Sequence, residues 1–139
     1  MTSQETDLVR ASWPAIAARS AAIAGRFYDL LFELEPAARA RFQDTNLEAQ
    51  QIKFMQMLAL IVRQIEDPEA LVATLVDSGR RHGARGTSRR EYGVAGEALL
   101  RAISDVLGSA FTMEQREAWR AMYALTAGVM QRAGDYPKQ

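Results

Sequence analysis

Cysteine is absent from this chain and histidine occurs once, at position 82. The first absence excludes a disulfide framework and any zinc site built on thiolates, and the second leaves a single imidazole as strong metal donor. An excess of charge of one sign is lacking too: 17 basic side chains meet 17 acidic ones, so no net field favours nucleic acid. No stretch approaches the roughly 18 uninterrupted apolar residues that span a bilayer. The first residues, Met1 to Asp7, carry acid where a secretion signal carries base. The expectation is a cytoplasmic chain with neither a membrane nor a nucleic-acid partner. Strand patterning is also missing, since Val, Ile and Thr are scattered and do not alternate with polar residues.

What is present is helix. With 48% hydrophobic residues over 139 positions, the chain can bury a sizeable core as one domain spanning 1–139. Thr2 with Glu5, Ser88 with Glu91 and Thr112 with Gln115 have capping-box spacing, each ahead of apolar residues at helical intervals. Asn46 suits a fourth cap, and Asp67-Pro68 opens a further segment with proline in the first turn, where a missing N–H costs little. Gly108 and Gly134 read as stops. The segments so marked are about 3–19, 20–35, 36–42, 47–65, 68–83, 88–107 and 113–133. In the last, Trp119, Met122, Tyr123, Thr126, Val129 and Met130 make one stripe. Leu99, Leu100, Ile103, Val106 and Leu107 make another in the helix before it, and the two stripes are expected to pack on each other as core.

Segment 47–65 differs. Gln50, Phe54, Met57 and Ile61 share one face at about 100° per residue, so a polar residue heads an apolar stripe. Gln50 either ends that stripe at the surface or faces something polar. Tyr28, in Phe27-Tyr28 with Leu31 and Phe32, reads equally as a core tyrosine that needs one hydrogen-bond partner. His82 sits between arginines, ten residues before Tyr92. One imidazole cannot build a zinc site, yet it can hold the iron of a haem, whose porphyrin supplies the other four nitrogens. The alternative for a lone histidine in this setting is a solvent-facing side chain. Arg80, Arg81, Arg85, Arg89 and Arg90 cluster nearby, and five arginines on a helix end and loop read as solvated or paired rather than as a nucleic-acid patch.

Taken in order, these residues resemble a globin. Phe27-Tyr28, Leu31-Phe32, Pro36 and Phe42 are similar to the second helix, the proline that turns the chain and the phenylalanine that stacks on haem. Gln50 and Phe54 match the two distal positions, and His82 matches the proximal ligand. Arg80-Arg81-His82, with Tyr92, Gly96, Ala118-Trp119 and Tyr123, resembles the bacterial single-domain and flavohaemoglobin-related branch, which is also akin to neuroglobin-like chains. The resemblance runs from about residue 5 to 133. It implies an all-α globin fold of seven to eight helices with haem b (iron protoporphyrin IX) between the distal and proximal helices.

The roles implied are specific. His82 binds the iron; Tyr28 and Gln50 face the bound gas; Phe42, Phe54, Met57, Leu75 and Val94 line an apolar slot; Tyr92 lies on the proximal side. Lys53 and Arg85 are candidates to meet the haem propionates. With one histidine, ligation by two imidazoles is impossible within one chain, and an internal sixth ligand would have to be Tyr28, Gln50, Lys53 or a methionine. Phe54, bulkier than the usual leucine, narrows the space for the gas. Flavohaemoglobins carry a glutamate late in the last helix that joins the proximal histidine and the tyrosine matching Tyr92. Here the stretch reads Gln131-Arg132-Ala133-Gly134 and the acid is missing.

The ligands implied are O2, NO and CO, bound reversibly by a monomer or weak homodimer. The alternative is a haem enzyme, an NO dioxygenase or peroxidase-like catalyst fed by a separate reductase, because the chain ends about where a fused flavin domain would begin. A haem-free globin-fold interaction module is the remaining class.

Overall fold

Thr2 opens α1 (Ser3–Ala18) by accepting the Glu5 N–H at 3.1 Å while the Glu5 carboxylate accepts the Thr2 N–H at 2.8 Å. The reciprocal pair satisfies two of the donors that a helix start leaves orphaned. The same device starts α5 (Arg89–Leu107) through Ser88 and Glu91, and α6 (Met113–Asp135) through Thr112 and Gln115. Asn46 caps α3 (Leu47–Gln64), and Asp67 caps α4 (Pro68–Ala84) with Pro68 in its first turn. Between α1 and α2 (Ser20–Leu34) stands one residue, Arg19. The computed structural model describes residues 1–135, and residues 136–139 of the expected domain lie outside them. Among the described residues are six α-helices and two 3₁₀ segments, Pro36–Phe42 and Gly108–Ala110, with no strand. None of these helices is long and apolar enough to cross a membrane.

The stripes on α5 and α6 are buried as expected, with Leu99, Leu100, Ile103, Trp119 and Met122 nearly inaccessible. Their partners differ from the expectation. The α5 stripe packs chiefly against α2, and α6 lies chiefly on α4 and α1, with a smaller contact between α5 and α6. An apolar stripe records that a face is covered and leaves open what covers it.

The α4–α6 crossing is set by missing side chains. A Cβ on Gly79 would stand 2.3 Å from the Met130 carbonyl oxygen, and one on Gly83 would stand 2.6 Å from the Gly134 Cα. The two backbones touch on both sides of His82. Gly134 is therefore no helix stop: α6 continues to Asp135, and the glycine is there for close approach. Gly108, in contrast, ends α5 with φ 56°, a conformation that side chains resist.

Candidate functional site

His82 lies half-buried in the last turns of α4. Its Nδ1 is 2.8 Å from the Ser78 carbonyl oxygen, one turn back. A carbonyl can only accept, so Nδ1 carries the proton and Nε2 keeps its lone pair. Burial lowers the imidazole pKa; the Ser78 hydrogen bond acts the other way, while the Arg85 and Arg81 charges lower it further. The ring is neutral, as a metal donor must be. Among the described residues no three His, Asp or Glu side chains converge, so a metal held here needs its remaining donors from a prosthetic group.

Tyr28 enters from α2. The residue is buried, and that burial raises its pKa, while a hydrogen bond from Gln50 and the charge of Arg85 lower it. Arg85 thus acts on Tyr28, on His82 and on Tyr92, whose phenol burial likewise pushes up. Three side chains from α2, α4 and α5 thus feel the charge of one cation. Around Tyr28 the aromatic rings are tightly grouped: Phe42 at 5.5 Å and Phe54 at 6.0 Å between centroids, both edge-on, with Phe54 stacked on Phe27 at 4.2 Å. Phe42, Phe54, Met57 and Val94 are partly buried and pack against the core, and Leu75 is wholly buried. Phe42 and Phe54, partly exposed beside Tyr28, suit contact with a flat apolar ligand. Lys53 and Arg85 are exposed, the first on α3 and the second just after α4.

On the His82 side, the Tyr92 ring is 6.2 Å from the imidazole. Tyr123 of α6 donates its hydroxyl proton to the Tyr92 carbonyl at 2.6 Å. Sequence reading placed Tyr123 in the core stripe and gave it no polar role. Asp135, one residue beyond the stretch Gln131 to Gly134, raises the Tyr92 pKa through its charge. Sequence reading also missed Arg41. Its guanidinium donates to the carbonyls of Arg85 and Gly86, each at 3.1 Å, and to Glu91 at 2.9 Å. No local pattern marks an arginine whose partners lie 44 to 50 residues away. In the basic cluster, Arg81 pairs with Asp77 and Arg90 with Glu35.

The chain resembles known proteins in sequence and in fold. The chain is 32% identical over 132 residues to a flavohaemoprotein of Rhizobium meliloti, covering 94% of this chain and 33% of that protein, so it spans about a third of that relative's length. It is 28% identical over 145 residues to Neuroglobin-2 of Oncorhynchus mykiss, covering 95% and 91% of the two chains. Among solved structures, an engineered carbene transferase built on a candidate nitric oxide dioxygenase of Rhodothermus marinus superposes with TM-score 0.85 at 32% identity, covering 95% and 92%. A hexacoordinated haem protein from a tardigrade shares the fold, with TM-score 0.87 at 15% identity over 98% and 96%. The family model described as Globin matches residues 25–130, and the chain belongs to the globin family.

Proposed function

We propose that the protein holds haem b (iron protoporphyrin IX) through His82 Nε2 and binds dioxygen reversibly, with nitric oxide and carbon monoxide as further ligands. Membership of the globin family implies haem binding. The observation that carries the assignment to His82 is the 2.8 Å contact of Nδ1 with the Ser78 carbonyl, which leaves the other ring nitrogen as an oriented donor. When bound, the haem supplies a ferrous iron with an open position at which a diatomic gas gathers partial negative charge.

The side chains opposite His82 then have defined work. Tyr28 stays protonated because burial raises its pKa, so its hydroxyl can donate to that charge, with the polar Gln50 beside it. Phe42 and Phe54 exclude water from the same space. Arg85, and Lys53 on the exposed side of α3, are suited to meet haem propionates at the solvent edge.

A second reading is nitric oxide dioxygenation with electrons from a separate reductase. The likeness to the flavohaemoprotein and to the Rhodothermus protein favours it. Mixing the oxygenated protein with nitric oxide separates the two: stoichiometric consumption fits a binding protein, and sustained turnover with an added reductase fits the enzyme.

The absorption spectrum tests the shared premise. Purified protein supplied with haemin should show a Soret band that shifts on reduction and on adding carbon monoxide. His82→Ala should lose that spectrum and regain it with added imidazole. A colourless wild type, or an unchanged spectrum in the variant, overturns the proposal.

A further inference from the structure

α5 and α6 share only a small contact, and a surface groove of about 510 Å³ runs between them. Tyr123 reaches across from α6 to bond the Tyr92 carbonyl at 2.6 Å, and its ring takes the room that Gly96 leaves by having no Cβ. Beyond that ring the groove is open. Gly93 has nothing within 4 Å of its would-be Cβ, and Gly128 has only the Arg132 guanidinium at 3.7 Å. Neither glycine has the packing reason that Gly79, Gly83 and Gly96 have. Each stands inside a helix, where glycine is unfavourable relative to alanine, and each keeps the groove floor free of side chains. With Ala124 and Ala127 beside them, the middle of the groove is smooth and uncharged.

The two ends differ in charge. Glu97 faces Arg120 and Gly96 faces Tyr123, so the helices run antiparallel and Arg89 comes opposite Gln131 at the other end. Arg89 is the first residue of α5, where the helix end is itself positive and a cation gains nothing from it. The acids beside it are already taken, Glu91 by Arg41 at 2.9 Å and Glu35 by Arg90 at 2.6 Å. Among the described residues Arg89 makes no ion pair, and the half-buried Gln131 finds no hydrogen-bond partner for its amide. At the far end Arg120 lies 3.9 Å from Glu97 and 3.6 Å from Glu117, so its charge is balanced. One end of an apolar slot thus offers a guanidinium fork and an amide NH2 with nothing to bind.

We propose that this groove binds an amphiphilic carboxylate, with the carboxylate held by Arg89 and Gln131 and the apolar body laid over Gly93, Ala124 and Gly128. Charge complementarity names the head, because an ionised carboxylate accepts two parallel bonds from a guanidinium fork. The missing side chains name the body, because a smooth uncharged floor rewards apolar contact. A volume of about 510 Å³ falls in the range of small-molecule sites. Tyr92 also lines the groove, and its ring stands 6.2 Å from the His82 imidazole. The occupant is therefore held outside the space proposed for haem while it touches a residue of the proximal side.

The test measures uptake of 2-naphthoate and of decanoate by equilibrium dialysis against the full chain supplied with haemin. The first probe offers a ring as body and the second a chain. At least one should bind saturably, one per chain, with a Kd below about 1 mM. Binding of one probe alone assigns the body as ring or chain. Arg89→Gln should weaken uptake about tenfold or more. Gly93→Leu, which builds a side chain into the open floor, should weaken it as much, and Gly25→Leu, the same change outside the groove, should bind as wild type does. Saturable uptake of neither probe overturns the proposal, as does uptake that Arg89→Gln or Gly93→Leu leaves unchanged or that Gly25→Leu lowers equally. A missing Soret band counts against the haem reading instead, because the variants locate the carboxylate whether or not the haem slot is filled.

Discussion

Arg41 donates to Glu91 across 2.9 Å, and the same Glu91 carboxylate closes the capping box of α5 by accepting the Ser88 N–H at 3.1 Å. With its bonds to the Arg85 and Gly86 carbonyls, Arg41 ties the segment that carries Phe42 to the loop that follows His82. The 3₁₀ segment Pro36–Phe42 and the loop after α4 are thereby clipped together at the edge of the proposed pocket. The pair is partly exposed, so its direct worth is about 1 kcal/mol or less. Arg41→Ala should leave the fold nearly as stable and speed haemin transfer to an excess of a haem-scavenging protein several-fold. An unchanged transfer rate would show that the clip does not guard the pocket.

The glycines at the α4–α6 crossing should tolerate no methyl group. At Gly79 and Gly83 the added carbon meets backbone rather than the tip of a flexible side chain, and the helices must separate. Gly79→Ala and Gly83→Ala should each cost about 1–3 kcal/mol in a denaturant titration. Gly25, in α2 with open space around its would-be Cβ, is the control, and its change to Ala should be neutral or stabilise by about 0.5–1 kcal/mol. Equal effects at the three sites would refute the packing role.

How much of this was legible beforehand depends on the range over which each signal acts. Helix starts were plain because caps are local: Thr2, Asn46, Asp67, Ser88 and Thr112 each bond within three residues. Gly134 was misread because a glycine that ends a helix and one that lets another helix approach look alike in one dimension. The partners of the α5 and α6 stripes, and the reach of Arg41, depend on tertiary neighbours that no window contains. Tyr28 and Gln50 were ambiguous singly, and only the order of residues over nearly the whole chain tied them to His82.

Tyr28 should govern gas retention if it donates to the bound ligand. A hydrogen bond to a charged acceptor is worth about 1.5–3 kcal/mol. Tyr28→Phe should then release oxygen about tenfold to a hundredfold faster in stopped flow, at 1.4 kcal/mol per decade. Carbon monoxide, with less charge on its outer atom, should respond less. A release rate equal to wild type would remove Tyr28 from this role.

The orphaned Thr126 hydroxyl is a smaller matter with a clear sign. Its Oγ1 is buried on α6 without a hydrogen-bond partner. Replacing the hydroxyl by a methyl in Thr126→Val removes a desolvation cost of about 1–3 kcal/mol at little change in shape. The variant should unfold at a higher denaturant concentration than wild type, and a lower midpoint would mean that the hydroxyl finds a partner in solution.

Tyr123 predicts how the fold responds to alkali. Burial raises its pKa well beyond the ordinary phenol value, and Tyr92 pushes it further in the same direction. In the unfolded chain the phenol ionises near pH 10, so above that pH the unfolded state binds fewer protons than the native one. Stability must then fall as pH rises beyond about 10, and below it this group contributes no slope. Tyr28 and Tyr92, both raised, add slopes of the same sign. Tyr123→Phe should lose about 1 kcal/mol near neutral pH, the worth of its bond to the Tyr92 carbonyl, and should decline less steeply in alkali. Denaturant titrations of both proteins between neutral and strongly alkaline pH should therefore give curves that converge. Curves that stay parallel would mean that the Tyr123 phenol ionises as readily in the fold as outside it.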